Sequence, residues 1–505
     1  MKMNYSHFKS GSDIRGIALG NENDPLYMSD EMIMRSISAF YDFTVNKTGK
    51  TAFKVAVGHD SRLSAERIRD DVVKVLLSYG CEVLDCGLCT TPAMFMTTVT
   101  AGCDCSVQIT ASHHPKDRNG LKFFTREGGL DGSDIADILK SAAEKTEYFG
   151  KAEGKYSKVN YLSEYAGILR KMIVDGVDNG DKPLSGLKII VDAGNGVGGF
   201  YATDVLAPLG ADITGSLYLD PDGSFPNHAP NPENAEAMKC ITDATAELGA
   251  DFGVIFDTDV DRAACVGKGG FSINRNRLVA LAAKVALDSC PGGTIVTDSV
   301  TSDGLAEFIQ KSGGVHLRFK RGYRNVINKQ IELCDNGIAC PLAMETSGHA
   351  AFRDNYYLDD GAYLITKLII EAAALAKEGK SLESLISDLP EPFEEKELRF
   401  KILSEDFRPE GEKIISLFTE EAEKHDGWKA ADDNYEGIRI NCADGSGWFL
   451  LRLSVHDPII VLNSESDEPG GVLKICSQVY DTFKNADNID LIDISSLSDL
   501  VKNTR

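Results

Sequence analysis

The sequence predicts an α/β protein: three similar α/β domains followed by a C-terminal α+β domain, arranged around one central cleft. Two observations carry this. The chain has 505 residues, too many for a single core and enough for three or four domains. A strand–helix–strand pattern also recurs three times. Its first copy is FKVAVGHD (53–60), a helix at 64–80 and CEVLDCG (81–87). The second is LKIIVDAGNG (187–196), a helix at 198–210 and ADITGSLYL (211–219). The third is GGTIVTDS (292–299), a helix at 302–314 and VHLRFK (315–320). Each copy predicts a right-handed crossover between parallel strands, with ligands gathered at the carboxyl ends of the strands. The last stretch breaks the pattern. ELRFKI (397–402), EGIRINC (436–442) and two segments flanking His456-Asp457-Pro458 read as antiparallel strands, closed by a helix at 470–487. The expected domains are 1–185, 186–290, 291–394 and 395–505.

Charge and composition exclude several classes. With 53 Lys+Arg against 77 Asp+Glu the chain carries −24. This argues against a nucleic-acid surface or an anionic membrane, both of which attract basic proteins. No apolar run approaches the ~20 residues that span a bilayer. The start, MKMNYSHFKSGSDIRG, lacks the apolar core of a leader. A cytoplasmic protein, monomeric or homodimeric, is expected. Cys86 and Cys89 spell C-x-x-C, but no second pair stands at zinc-site spacing, so buried reduced thiols are the favoured reading.

Five motifs carry chemistry. TASHHPKDRNG (110–120) places Ser112 and His113 on a loop between two β-prone runs. FDTDVDRAACV (256–266) follows an apolar strand and alternates Asp257, Asp259 and Asp261 before Arg262. Alternation in an extended segment puts the three carboxylates on one side. They repel unless a cation sits between them, and hard oxygen ligands select Mg²⁺ or a similar ion. AMETSGHAAF (343–352) alternates Glu345, Ser347 and His349, a set able to bind adjacent hydroxyls. RLSVHDP (452–458) offers Arg452, Ser454 and His456 to a phosphate dianion. SGSDIRGIA (10–18) places Arg15 between apolar residues. Taken alone, the Glu345 motif reads as well as a simple polar turn, the Arg452 motif better as a plain hairpin turn, and the Arg15 motif equally as a capped turn.

Together and in this order, the motifs resemble those of the α-D-phosphohexomutases, and the likeness runs through essentially the whole chain. The resemblance implies a phosphorylated Ser112, a catalytic Lys122 in NGLK, and a metal loop of Asp257, Asp259 and Asp261 with Arg262 beside it. The phosphorylated Ser112 would be a fourth metal ligand. It further implies sugar recognition by Glu345, Ser347 and His349, and a role for Arg15 in the N-terminal segment. VDAGNGVGG and PDGSFPNHAPNPE resemble stretches of the second domain. Three departures stand out. Thr258 and Val260 separate the aspartates where small residues are usual. Gly322-Tyr323-Arg324 puts Arg324 in the place of a lysine. The fourth-domain loop keeps Arg452 and Ser454 but replaces a glycine and a threonine with Val455 and His456.

The implied activity is interconversion of hexose 1-phosphate and hexose 6-phosphate. Ser112 would pass its phosphoryl group to the sugar and recover the other phosphate from a hexose 1,6-bisphosphate, which also serves as activator alongside Mg²⁺. Lys122, His113 and His349 are the acid–base candidates, and Arg452, Ser454 and His456 the grip on the idle phosphate. Two alternatives stand beside it: a phosphoglucosamine mutase-like enzyme, or a weakly catalytic sugar-phosphate-binding regulator.

Overall fold

The computed structural model describes residues 4–502 except Asp444, Ser446, Val455 and His456. Contacts divide the chain into two compact units, residues 1–286 with 347–387, and residues 287–346 with 388–505.

In the first unit, the strand Lys54–His59 runs parallel to both Glu82–Leu88 and Cys105–Ile109. Cys105–Ile109 is antiparallel to Arg118–Thr125, with Ile109 opposite Leu121. The chain therefore reverses at 110–117, and the Ser112 loop hangs from two strand ends as the sequence predicts. The helix Asp30–Thr48 begins where the Ser29 side chain accepts the Met32 amide at 3.2 Å and stops at Gly49, φ 72°. Phe40, Val55, Val72, Val107 and Phe123 are among its packed core residues. The cysteines Cys81, Cys86, Cys89, Cys103 and Cys105 are free thiols buried in this region. Burial pushes Cys81 and Cys103 up to about 11, which leaves them unreactive.

A second sheet in this unit pairs Phe252–Phe256 parallel to Ile189–Asp192 and antiparallel to Ala263–Gly267. Two expectations are corrected here. The segment 211–219 is no strand: only single bridges, Lys188 to Asp212 and Asp192 to Leu217, join it to the sheet. A turn closes within it, Ser216 N–H donating to the Ile213 carbonyl at 3.1 Å, with Gly215 at φ 96°. The helix predicted over 198–210 is a wide π-turn, Tyr201–Leu206, followed by a tight turn, Ala207–Leu209. Pro208 lacks the N–H that an α-helix would return to Asp204.

His228 pins the segment 219–234 to the end of Ile189–Asp192. Its Nε2 lies 2.9 Å from Asp192 Oδ2 and its Nδ1 3.0 Å from the Ala229 carbonyl. Both ring nitrogens face acceptors, which favours the imidazolium. Burial alone would lower its pKa, but the hydrogen bond and charge of Asp192 outweigh burial and raise it. A raised pKa gives stability that is complete below the unfolded value of ~6.5 and is lost as pH rises through the folded value. The stability advantage of wild type over His228→Gln is expected to shrink as pH rises above about 6.5, measured by unfolding at each pH. A constant gap would mean that folding leaves the imidazole pKa unshifted.

In the second unit, Thr294–Asp298 is parallel to Val315–Phe319 and to Leu342–Met344. The six-stranded C-terminal sheet follows the order Trp428–Ala430, Ile438–Cys442, Gly447–Leu453, Ile459–Ser466, Glu394–Ile402, Ile492–Asp493. Each neighbouring pair in this order is antiparallel. The helices Phe407–Ala422 and Gly471–Phe483 cover its core of Phe400, Phe418, Phe449 and Leu462. This is the α+β domain that the sequence predicts. Among the described residues no helix is long and apolar enough to cross a membrane.

Candidate active site

Ser112 adopts φ +50°, a left-handed conformation that costs a non-glycine residue about 1 kcal/mol or more and persists only where its surroundings enforce it. The enforcing groups are Asp60 and Arg62, from HDSR at the end of Lys54–His59. The Arg62 guanidinium donates to the carbonyls of Ser112, His114 (2.7 Å), Pro115 (2.7 Å) and Arg118 (2.9 Å). Asp60 holds Arg62 at 3.2 Å and accepts the Thr110 hydroxyl at 2.7 Å, while Thr110 Oγ1 accepts the Ser112 amide at 2.8 Å. Asp60 and Arg62 are fully buried. Gly120 lets Arg118–Thr125 approach the loop: a Cβ there would lie 2.4 Å from the Ile14 carbonyl and 2.7 Å from that of Thr110.

The Ser112 hydroxyl donates to Asp257 Oδ2 at 2.7 Å. Asp257, Asp259 and Asp261 are buried, with ligand oxygens all within 4.8 Å of one another. The segment 257–262 is not the extended run expected from the sequence. It is a turn, with Val260 at φ +67° and its amide donating to the Asp257 carbonyl at 3.4 Å. The carboxylates converge because the turn folds them inward, not because they alternate along a strand. Gly361 packs beneath it, where a Cβ would lie 2.7 Å from the Arg262 carbonyl carbon.

The electrostatics of this cluster are divided. Burial and the charges of Asp261 and Asp259 hold Asp257 well above the usual carboxylate range. Burial acts on Asp261 too, but Lys122 and Arg262 outweigh it and lower its pKa. Lys122, itself buried, is ion-paired to Asp261 and lies 3.5 Å from Asp259. Thr91 donates its hydroxyl to Asp259 Oδ2. Asp259 Oδ1 and Asp261 Oδ1 are buried and accept no hydrogen bond. Buried carboxylate oxygens left open in a cluster of three suit a hard divalent cation. The residues present therefore fit a metal.

His113 Nδ1 lies 3.3 Å from Ser112 Oγ. The charge of Arg262, then burial, then the charges of His114, Arg15 and His349 drive its pKa well below 6.5, so the ring is neutral. Arg15 is paired with Asp13 at 2.7 Å. The Arg262 amide donates to Asp257 Oδ1 and its guanidinium to Glu233, both at 3.2 Å. His349 bridges Arg262 through the backbone. Its Nδ1 contacts the Asp359 carboxylate and lies 3.9 Å from Asp261. Ser347 is buried in the same unit.

The second unit holds the remaining candidates. Glu345 is buried and accepts the Gly322 amide at 2.6 Å. Arg324 stands in the first turn of Tyr323–Asp335. Arg452 is buried, with a carboxylate oxygen of Glu436 3.7 Å away. Ser454 Oγ accepts the Asp457 amide at 3.3 Å. His456 lies outside the described residues.

Sequence reading missed Asp60, Arg62, Thr91, Glu233 and Asp359. One signal was available for two of them: HDSR follows a strand directly, as Ser112 does. The segment 219–234 also gains a role, because Phe225 lies under the Arg62 guanidinium, 5.4 Å from ring centre to cation, and Glu233 engages Arg262.

Known proteins share this plan. Sequence models of phosphoglucomutase/phosphomannomutase, alpha/beta/alpha domains I, II and III, match residues 8–149, 168–270 and 274–393. A Pseudomonas putida phosphomannomutase/phosphoglucomutase is 32% identical over 425 residues, 84% of this chain and 85% of that protein. A Thermococcus kodakarensis phosphoglucomutase/phosphomannomutase is 30% identical over 459 residues, 90% and 93% of the two chains. The crystal structure of a phosphoglucomutase/phosphomannomutase family protein from Burkholderia thailandensis matches with a TM-score of 0.76 at 29% identity, covering 96% of this chain and 98% of that one. With sequence and fold in agreement, the chain belongs to the phosphoglucomutase/phosphomannomutase family.

Proposed function

We propose that the protein interconverts hexose 1-phosphates and hexose 6-phosphates, of glucose, mannose or both, through a phosphoserine at Ser112 and a hexose 1,6-bisphosphate. The observation that carries this is the Ser112 hydroxyl bound to Asp257 within a buried three-aspartate cluster that also holds Lys122. The reading assigns one functional loop to each of the segments 1–185, 186–290, 291–394 and 395–505.

Asp257, Asp259 and Asp261, with the phosphoryl group on Ser112, would hold Mg²⁺, which would supply charge neutralisation to the transferring group. Lys122 and Arg262 add positive charge beside it. The attacking sugar hydroxyl must lose a proton, and the departing Ser112 oxygen must not carry a full charge away. His113, neutral and 3.3 Å from that oxygen, is placed to move a proton there. His349, backed by the Asp359 carboxylate, is the second proton carrier. Glu345, Ser347 and Arg324 bind the sugar, Arg452 and Ser454 its idle phosphate, and Arg15 screens the Ser112 loop. The bisphosphate then reorients and returns its other phosphate to Ser112. The substrates are those of the cytoplasm, and added bisphosphate primes the unphosphorylated serine.

A coupled assay on glucose 1-phosphate, mannose 1-phosphate and glucosamine 1-phosphate, with Mg²⁺ and glucose 1,6-bisphosphate, tests the reading. Turnover of glucose or mannose phosphate is expected; turnover of none would overturn it. Arg62→Lys keeps the charge but loses the planar fork that serves four carbonyls. It should lower kcat by about tenfold or more and also lower the unfolding temperature, because buried carbonyls lose their donors. Wild-type kcat in that variant would show that the Ser112 conformation does not depend on Arg62.

A further inference from the structure

Within the second unit, the C-terminal sheet docks on the loop 299–303, which follows the strand Thr294–Asp298. Arg439, buried, reaches across from Ile438–Cys442. Its guanidinium donates to the carbonyls of Ser299 (3.3 Å) and Thr301 (3.1 Å) and to Asp303 at 2.9 Å. Arg318 grips the same loop from Val315–Phe319. It donates to the Ser302 carbonyl at 2.9 Å, to Asp303 at 2.6 Å and to Asp433 at 3.2 Å. Val300, Trp448 and Leu450 close this seam with a small apolar cluster.

A buried carboxylate stands behind the seam. The Arg439 guanidinium lies over the Trp448 ring, 3.4 Å from its centre, and the Trp448 indole N–H donates to Glu465 Oε2 at 2.9 Å. Among the described residues, that indole is the one hydrogen-bond donor to the Glu465 side chain. Glu465 is 7% exposed. On its own sheet it lies between Trp448 on one neighbouring strand and Glu395 on the other, each directly opposite it. Like charges directly opposite each other on adjacent strands are destabilising. A carboxylate with this burial, one donor and an acidic neighbour resists ionisation.

We propose that Glu465 is a proton-operated release for this seam: when neutral it lets the sheet stay docked on loop 299–303, and when ionised it loosens the dock. Burial above all, then the charges of Glu395 and Asp303, disfavour the carboxylate. The Arg439 charge and the Trp448 hydrogen bond favour it without prevailing, and Glu465 is pushed up to about 7. Arg439, which burial and then the Arg318 charge bring down to about 9, keeps its own charge across this range. Opening the seam returns Glu465 to water and toward its ordinary value of ~4.3. Opening therefore releases a proton, and the docked state loses stability as pH rises from ~4.3 to about 7. The switch is independent of the mutase reading, although Trp448 shares its strand, Gly447–Leu453, with Arg452.

Glu465→Gln keeps an acceptor for the indole N–H and carries no charge, so it fixes the neutral state. Hydrogen exchange of the backbone amides in 299–305, compared between wild type and Glu465→Gln at each pH, reads the opening. Wild type should exchange faster than the variant at about pH 8, by about tenfold or more, and the ratio should shrink toward about pH 5. A ratio that stays constant across this range would overturn the proposal. So would faster exchange in the variant at about pH 8, because the ionised carboxylate would then be the clamp. If Glu465→Gln does not fold, the Trp448 indole N–H resonance of wild type decides, assigned by its loss in Trp448→Phe. It should titrate with a midpoint above about 6; a lower midpoint, or no titration, overturns the proposal.

Discussion

Wild type is expected to carry a phosphoryl group on part of its molecules, and Ser112→Ala to lack that mass and to lose turnover by more than about 10⁴-fold, the scale on which removal of a nucleophile acts. The substitution removes one hydroxyl, whose hydrogen bond goes to Asp257 at 2.7 Å. The loop around it is held by other atoms: the Ser112 amide on Thr110 and the Ser112 carbonyl on Arg62. The fold should therefore survive. Alanine at φ +50° suffers the same backbone strain as serine, so stability should change little. Intact-mass measurement before and after a chase with hexose 1-phosphate reads the phosphoryl group, and the coupled assay reads turnover. Full activity in Ser112→Ala, with no phosphoryl mass on wild type, would remove Ser112 from the chemistry.

Much of this architecture was legible from local pattern. Strands such as Lys54–His59 and Thr294–Asp298 are apolar, β-branched runs that end at polar loops, and both formed as read. The serine and aspartate motifs were legible because strongly charged or nucleophilic residues at the end of an apolar strand have few structural uses. What escaped depends on tertiary contact. Arg62 reaches carbonyls 50 to 56 residues away along the chain, and no local pattern announces that. Glu233 meets Arg262 through a loop whose own sequence gives only turn signals. The conformation of 257–262 was misread because a left-handed valine is rare and nothing in DTDVDR marks it. Segment 211–219 looks like a strand by composition, but Gly215 lets a turn close within it.

Replacing one aspartate of the cluster should separate metal binding from folding. With ligand oxygens all within 4.8 Å, each pair of ionised carboxylates repels by at least about 3.5 kcal/mol at an effective dielectric near 20. Lys122 and Arg262 offset part of this, and a bound cation reverses it. Asp259→Asn removes one charge, keeps an oxygen for the Thr91 hydroxyl, and takes away an oxygen, Oδ1, that has no hydrogen-bond partner. In chelator-treated protein, Asp259→Asn should be at least as stable as wild type. Added Mg²⁺ should raise the unfolding temperature of wild type by several degrees, as any ligand bound only to the folded state does, and leave the variant almost unmoved. Turnover should fall by about 10³-fold or more, because the transferring phosphoryl group then loses its main source of neutralising charge. Melting curves with and without Mg²⁺, set beside the coupled assay, measure all three effects. A variant that loses stability without metal would mean that Asp259 holds the turn together. One that responds to Mg²⁺ like wild type would show that the cation binds elsewhere.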